Sequence, residues 1–550
     1  MTKLLSYLLS YWHLWIDKKR CFTHAKANDK QLIEHSEYAI KPCLSLHFVI
    51  LCQPLENIPP PFFKHAFKHT FDSLSQQGKH WQASLISPCH FMPYLTSVTL
   101  PPFTTVVTYN DFSDLNPIIS KVLCNSTASH ISIVPLGTQF AKHMLDTLLF
   151  TAGKTDADII YADDDLIQRN FERHSPHFKP AWNPDYFYAY NYFSYTAVLK
   201  YSLLLELDAT QQNDTTQLGY SQGFYEALLS DNTKLNTLCI EHIPNILFHF
   251  PEHIGRNTIT IKKNKPYFVL PRPSPLVSLI IPTRDELLIL KQCIASLIGR
   301  TAYPNIEILI IDNQSKEQAT LDYLQEISHD SRITVLQYPY AFNYSAINNF
   351  AVQQAKGTLL AFVNNDIECI NSGWLTEMVS HACRDDIGCV GAKLYYPDGT
   401  IQHGGIILGI KGTASHAHKY FSGDHPGYFN RLSVVHNVSA VTAACLVMRK
   451  ALFKEVGGFD EINLKVAYND VDLCLKVLKL GYRNLWTPHA ELTHYESKSR
   501  GKQRSWWQRR KLRKEAHFLQ KKWGELLFND PAYNPNLTLE REDFSLKEDI

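Results

Sequence analysis

The chain has 550 residues, 45% of them hydrophobic and 19% charged, and a net charge of +1. That is an ordinary globular composition with ample material for a core, enough for two large domains or three to four smaller ones. Twelve cysteines without a CxxC or CxxxxC pair argue against a zinc ribbon or a disulfide framework, and no run of about 18 uninterrupted apolar residues exists to predict a membrane-spanning helix.

The opening MTKLLSYLLSYWHLWIDKKR has a short apolar run broken by His13, with no small-residue cleavage site behind it. It reads as an amphipathic or buried helix, not a signal peptide. Further on, DADIIYADDDLIQRNFERHSPHFKPAWNPD carries three consecutive acids, Asp163, Asp164 and Asp165. KKNKPYFVLPRPSP (262–275), rich in Pro and Lys, marks a boundary between two α/β-like regions.

Behind that boundary LVSLIIPTRDE reads as a buried strand, and Leu287, Leu290, Ile294 and Leu297 have helical spacing. IEILIIDNQS is a second strand, 313–330 is helical, and ITVLQY is a third strand. Ser345–Lys356 is predicted helical, with Ser345 as N-cap and Gly357 as its stop, and TLLAFVNND is a fourth strand. This alternation predicts a parallel sheet with helices on both faces, in which ligands bind outside the carboxyl ends of the strands. Three polar clusters stand at those ends: Thr283-Arg284-Asp285, Asp312-Asn313-Gln314-Ser315 and Asn364-Asn365-Asp366. Each alone would suit a turn; three on one sheet are better explained by one site.

Asn469-Asp470-Val471-Asp472 opens an amphipathic helix (Val471, Leu475, Leu478), where a first-turn acid also favours the helix dipole. Lys498–Lys522 then holds eleven Lys and Arg against one acid, Glu515. Apolar residues at 512, 516, 519, 523 and 526 make Trp506–Leu527 an amphipathic helix. It suits docking on anionic lipid and packing on the preceding domain equally well. No nucleic-acid-binding fold accompanies the basic patch, so nucleic acid is not an expected partner.

LVSLIIPTRDE, IEILIIDNQS, AFVNNDIE, GCVGAKLYYPDGTIQHGG, VSAVTAACLVMRK, VGGFDE, YNDVDLCLKVLKLGY and HYESKSRG occur in that order. Together they resemble the bacterial family-two glycosyltransferases of GT-A fold, in the subgroup of rhamnosyltransferases and O-antigen assembly enzymes, over about residues 275–505. The resemblance implies an α/β fold with two GT-A-like domains. Residues 1–270 would be a degenerate copy, 271–505 the catalytic domain, and 506–550 a basic amphipathic helix and tail. It implies an inverting transfer of a hexose or deoxyhexose from a nucleotide sugar to a hydroxyl of a cell-surface polysaccharide or lipid-linked glycan. The enzyme would be cytoplasmic, with peripheral contact at the inner face of the plasma membrane through 506–527 as the lipid reading of the basic helix. The alternative is a noncatalytic glycan-binding or assembly subunit, a description that suits the first half better than the second.

The same resemblance assigns roles. Asp285, Asp312, Asn313 and Asn365 would bind the nucleotide sugar, Asp366 and His494 would ligate Mg2+ or Mn2+, and Asp470 would be the general base. Asn364 stands where the family's DxD motif has its first acid, so Asp366 is left as the principal carboxylate ligand. Glu368 is a weaker candidate, Asp472 a structural or acceptor-positioning acid, and His403, His416 and His418 lie along the acceptor side. In the first half, ISIVPLGTQF has no acidic cluster, the triad at 163–165 lies beyond the DxD strand, and Gly223 and Tyr225 in GYSQGFYEALL replace the base and the second acid.

Overall fold

A computed structural model describes residues 44–52, 60–95, 99–168, 172–193, 195–208, 237–252, 270–496 and 506–547. The opening helix, Gly223 and Tyr225, and the basic residues at 498–504 lie outside the described residues. The chain forms two units: Met1–Trp182 with Tyr190–Ile261 and Leu546–Ile550, and Asn183–Ala189 with Lys262–Ser545. The division near 262 lies close to the Pro- and Lys-rich boundary. Two placements differ from the 1–270, 271–505 and 506–550 scheme. The tail to Ser545 goes with the second unit instead of standing apart, and so does Asn183–Ala189.

The reason for the second exception is burial of polar groups. The short Pro184–Ala189 helix sets Asp185, 4% exposed, against Arg384 at 2.5 Å, and Asn183 Nδ2 donates to the Asn437 carbonyl at 2.8 Å. Such contacts join residues 199 and 254 positions apart, which periodicity cannot reveal.

In the first unit the strands are β1 (Leu46–Leu51), β2 (Trp81–Pro88), β3 (Thr104–Tyr109), β4 (His130–Pro135), β5 (Gln139–Phe140), β6 (Ile159–Ile167), β7 (Arg173–His177), β8 (Ala197–Lys200) and β9 (Ile240–Pro251). The second unit has β10 (Val277–Thr283), β11 (Ile306–Asp312), β12 (Ile333–Gln337), β13 (Leu359–Val363), β14 (Ile367–Cys369), β15 (Ile387–Tyr395) and β16 (Ile401–His403). These are followed by β17 (Ile406–Leu408), β18 (Ala414–His416), β19 (His436–Val438), β20 (Cys445–Arg449) and β21 (Arg483–His494).

The two main sheets have the same plan. The first runs β3-β2-β1-β4-β8-β6-β9-β5 with β7 on β6, and the second β12-β11-β10-β13-β20-β15-β21-β14 with β16 on β15. Senses agree as well. β1 pairs parallel with β2 and β4 as β10 does with β11 and β13; β8 and β20 are antiparallel to their neighbours. β9 and β21 run parallel to β6 and β15.

In the second unit the sheet is buried on both faces, as a parallel sheet under helices must be. Leu279, Ile281, Ile308 and Ile310 face one core and Ile280, Leu309 and Ile311 the other. The predicted helices are found at Leu287–Arg300, Gln318–Ile327 and Tyr344–Gln354. The last is capped by Asn343, not Ser345: the Asn343 side chain accepts from Ala346 N–H, while Ser345 is buried inside the first turn. Gly357 is required at the return to β13, because a Cβ there would sit 2.6 Å from Ser278 Oγ and 2.7 Å from the Leu276 carbonyl.

The helix Trp506–Phe528 packs on this unit through Leu519 and Leu527, buried in its core, with Phe518, Trp523 and Leu526 half-buried beside them. Arg510, Lys511, Arg513, Lys514 and Lys521 stay exposed. Packing and a solvated basic face therefore coexist.

Candidate active site

Three parallel strands end together, and hydrogen bonds tie their ends. Asn313 N–H donates to the Thr283 carbonyl at 2.8 Å, and Asn365 Nδ2 donates to Thr283 Oγ1 at 3.2 Å. β10, β11 and β13 thus bring Thr283, Asp312-Asn313 and Asn364-Asn365-Asp366 to one rim.

On that rim Asp285, Asp312 and Asn313 hold the loops. Asp285 Oδ1 accepts from Lys316 N–H at 2.6 Å and Glu317 N–H at 2.9 Å. Desolvation would push this carboxyl up, but those N–H groups outweigh it and hold it below the usual carboxylate range. Asp312, 1% exposed, accepts from Ser315 N–H at 3.0 Å. Asn313, 2% exposed, donates through Nδ2 to the carbonyls of Tyr338 and Tyr340. The sequence located these side chains at the strand ends. It did not show that backbone engages Asp285 Oδ1, Asp312 Oδ1 and Asn313 Nδ2, while Asn313 Oδ1 is buried without a hydrogen bond among the described residues.

At the end of β13 and β21, Asp366 Oδ1 lies 3.0 Å from His494 Nε2. The pairing of Ile367 with His494 in register sets them side by side. His494 Nδ1 lies 2.6 Å from Gln402 Oε1, an acceptor, so Nδ1 carries the proton and donates it there. In the neutral ring Nε2 then presents a lone pair, in agreement with Asn364 Nδ2 donating towards it at 3.3 Å. A carboxylate oxygen and an imidazole lone pair facing one another, with the second ring nitrogen anchored by a neighbour, is a donor set that fits a divalent cation. Among the described residues no cluster of three His, Cys, Asp or Glu side chains completes such a site. Glu368 is directed elsewhere: it accepts from Tyr495 Oη at 2.7 Å and Gln292 Nε2 at 2.6 Å and pairs with Arg300 at 3.1 Å.

Asp470 enters from the helix Asn469–Lys479, in its first turn. The turn begins at Tyr468, whose φ of +59° starts the helix sharply. Before it, Gly457 and Gly458 have φ of +76° and +64°, a bend that glycine permits. Asp470 is half-buried, accepting from Val471 N–H at 2.8 Å and Ala443 N–H at 3.3 Å. Burial raises its pKa above the usual carboxylate value, against the opposing hydrogen bonds of Val471, Ala443 and Thr442.

A short series of contacts connects Asp470 to Asp366. Ala443 meets Asp470 through its N–H and Tyr344 Oη through its carbonyl at 3.0 Å. Tyr344 Oη lies 3.4 Å from Asn364 Oδ1, and Asn364 N–H donates to the Ala444 carbonyl at 3.0 Å. Asp312, Asp366 and Asp470 therefore belong to one connected rim.

Asp472, fully buried, is structural. It meets Trp523 Nε1 at 2.7 Å, Lys522 at 2.6 Å and Lys476 at 3.1 Å, and so fixes the C-terminal helix to the Asp470 helix. His418 belongs to the core, stacked on Phe544 at 4.4 Å and accepting from Tyr428 N–H at 3.0 Å. His403 and His416 are paired, a contact that nothing in DGTIQHGG or ASHAHK announces. A separate open cavity of 560 Å³, lined by Asn349, Phe453, Gly458, Glu461 and Lys476 among others, contains none of the predicted residues.

In the first unit the loop from β4 to β5 carries Leu136-Gly137-Thr138 where the second has Asn364-Asn365-Asp366. Asp163–Asp165 lie on β6, the counterpart of β15, and are buried. Asp163 meets His242 at 2.8 Å, Asp164 meets Lys179 at 2.5 Å, and Asp165 meets both His249 and Arg173 at 2.6 Å.

Residues 278–457 match the family described as Glycosyl transferase family 2. An uncharacterized protein of Sinorhizobium fredii, y4gI, is 42% identical over 433 residues, 71% of this chain and 46% of that protein. The O-antigen biosynthesis protein RfbC of Myxococcus xanthus is 31% identical over 428 residues, 71% of this chain and 32% of that protein. The chain thus spans less than half the length of either relative. Among solved structures, the mannosyltransferase PcManGT from Pyrobaculum calidifontis, in complex with GDP-Man and Mn2+, aligns at 18% identity with a TM-score of 0.32, over 43% of this chain and 61% of that one. Residues 278–457 thus carry a glycosyltransferase domain similar to family two, within an α/β architecture of two sheet-bearing units of the same strand order.

Proposed function

We propose that the second unit moves a hexose or deoxyhexose from a nucleotide sugar to a hydroxyl of a cell-surface polysaccharide or lipid-linked glycan, with inversion at the anomeric carbon. The observation that carries this reading is the rim itself. A half-buried carboxylate with raised proton affinity, Asp470, stands within a few contacts of the Asp366–His494 pair. The similarity to the O-antigen biosynthesis protein RfbC supports the choice of acceptor class.

Asp470 takes the proton of the acceptor hydroxyl as that oxygen forms a bond to the anomeric carbon and the bond to the nucleotide diphosphate breaks. Attack from the side opposite the leaving group inverts the centre. The N–H groups of Val471 and Ala443 keep the carboxylate pointed, and its raised pKa strengthens it as a base. Asp366 and His494 would hold Mg2+ or Mn2+, which when bound offsets charge on the departing diphosphate. Asn365 and the loops fixed by Asp285, Asp312 and Asn313 shape the nucleotide side.

The first unit, with its acids paired internally, has a scaffold, acceptor-binding or dimerising role. The exposed basic face of the Trp506–Phe528 helix suits peripheral contact with anionic headgroups at the cytoplasmic membrane face, beside a lipid-linked acceptor. Among the described residues no helix is long and apolar enough to cross a membrane.

The test is nucleotide release. Full-length protein is incubated with UDP-glucose, UDP-galactose, GDP-mannose and dTDP-rhamnose, with Mn2+ or with EDTA. Metal-dependent release of nucleoside diphosphate from one of them is expected. Binding without release from any would favour the assembly-subunit reading.

A further inference from the structure

Beyond Asp470 and the metal pair, the rim contains two histidines in an arrangement that fixes where their protons sit. His403, fully buried at the end of β16, and His416, half-buried at the end of β18, approach Nδ1 to Nδ1 at 2.8 Å. Two imidazole nitrogens at that distance need one proton between them. The remaining contacts decide which ring owns it.

Thr442 N–H, which can only donate, lies 3.4 Å from His403 Nε2. His403 Nε2 is therefore the acceptor, and the His403 proton is on Nδ1. That proton is donated to His416 Nδ1, and neutral His416 must carry its own on Nε2. Burial keeps both rings neutral, His416 down to about 3 with Lys419 and His494 adding to the effect. His416 Nε2 has no hydrogen-bond partner among the described residues, and it is not among the polar atoms sealed from solvent. The result is a fixed N–H donor on a half-buried ring, without a protein partner among the described residues.

Its location ties it to the reaction. Thr442 is the pivot: its N–H serves His403, its side chain hydrogen-bonds Asp470, and the next N–H, of Ala443, also meets Asp470. The outward donor of His416 is thus reached from the base through Thr442 and His403. His494 is close enough to act on both rings electrostatically.

We propose that His416, held in its Nε2–H tautomer by His403, donates a hydrogen bond to an oxygen of the acceptor sugar and so orients the hydroxyl that Asp470 deprotonates. This rests on the transferase reading above. His416 is a positioning residue for the acceptor, with His403 acting through it. A neutral N–H donor holds a sugar oxygen without placing positive charge beside the metal pair.

The test has two arms on full-length protein. The first is 15N NMR of histidine-labelled enzyme without substrate. A long-range correlation spectrum should show His403 as the Nδ1–H tautomer and His416 as the Nε2–H tautomer; the reverse assignment at His416 overturns the proposal.

The second arm uses the donor found above with methyl glucoside, galactoside, mannoside and rhamnoside as acceptors. His416→Phe should raise the KM for the methyl glycoside about five- to ten-fold, as for loss of one neutral hydrogen bond, with the donor KM moving less than about two-fold. His416→Gln, which restores an N–H near Nε2, should recover most of the loss. Equal changes in both KM values, or none, overturn the role of His416 while the transferase stands. A wild-type enzyme that releases nucleotide from no donor overturns the transferase reading, and this one with it. Melting temperatures of the two variants separate misfolding from lost recognition.

Discussion

The two units have the same strand order and the same senses, yet their acids meet different partners. On β6 the acids are buried and paired with Lys179, Arg173 and histidines. At the end of β13 Asp366 meets an imidazole, and Asp470 sits half-buried at a helix start. His249 pairs with the first residue of β5 as His494 pairs with the first residue of β14. At matching strand ends, one histidine meets a carboxylate also bound to arginine, and the other meets Asp366. The lesson is that a carboxylate's neighbours, not its place in a sheet plan, decide whether it is structural or available for chemistry. A side-chain cation neutralises permanently; a lone pair beside a carboxylate leaves a place for an ion that can come and go.

This contrast is sharpest where an acid is replaced by its amide. Asp470→Asn should lower kcat about 10³-fold or more while the melting temperature stays within a few degrees, measured by nucleotide release and differential scanning calorimetry. A drop of less than tenfold would place the base elsewhere. Next in size, Asp366→Asn or His494→Ala should lower metal-dependent release about 10²-fold, and Mn2+ added without substrate should no longer raise the melting temperature. An undiminished Mn2+ shift in both would break the assignment of the pair.

In the first unit the outcome reverses. Asp164→Asn leaves the buried Lys179 ammonium without its carboxylate and should cost about 3–5 kcal/mol of stability, read by urea denaturation, with kcat of the remaining folded enzyme unchanged. A stable Asp164→Asn that has lost turnover would mean that the first unit takes part in the chemistry.

The smallest difference lies in acid. His403, His418 and His436 in the second unit are kept neutral chiefly by burial, His436 down to about 3, as His47 and His130 are in the first, down to about 4. Their folded values lie below the 6.5 of the free side chain, so the unfolded chain binds protons first. Each costs stability as pH falls below 6.5, by at most about 1.4 kcal/mol per pH unit. The second unit has the denser set, so its amides should lose exchange protection first between pH 6.5 and 5. Earlier loss in the first unit would reverse this ordering.

Much of this was legible in the sequence. The apolar runs of β10, β11 and β13 and the polar residues ending them located the rim, because a buried parallel strand must be apolar and must stop where it meets water. Asn469-Asp470-Val471-Asp472 named both acids, and Leu136-Gly137-Thr138 already lacked the cluster. Hidden were the facts made by distant contacts: Trp523 on Asp472, Gln402 on His494, His403 on His416. Asp312 and Asn313 end β11 as the sequence placed them, but composition does not show that Asp312 and the Asn313 Nδ2 also serve loop backbone groups. Ser345 failed as a cap because Asn343, two residues earlier, offered the better acceptor geometry.

The excursion of Asn183–Ala189 has a practical corollary for anyone dissecting this polypeptide. A fragment started at the Pro- and Lys-rich junction would lack Asp185, taking one of two carboxylates from the nearly sealed guanidinium of Arg384, and would leave the Asn437 amide and carbonyl without Asn183. Linear order and structural membership diverge here, so no single incision yields an intact second unit. Swapping halves between relatives would succeed only if those seven residues travel with the part they complete.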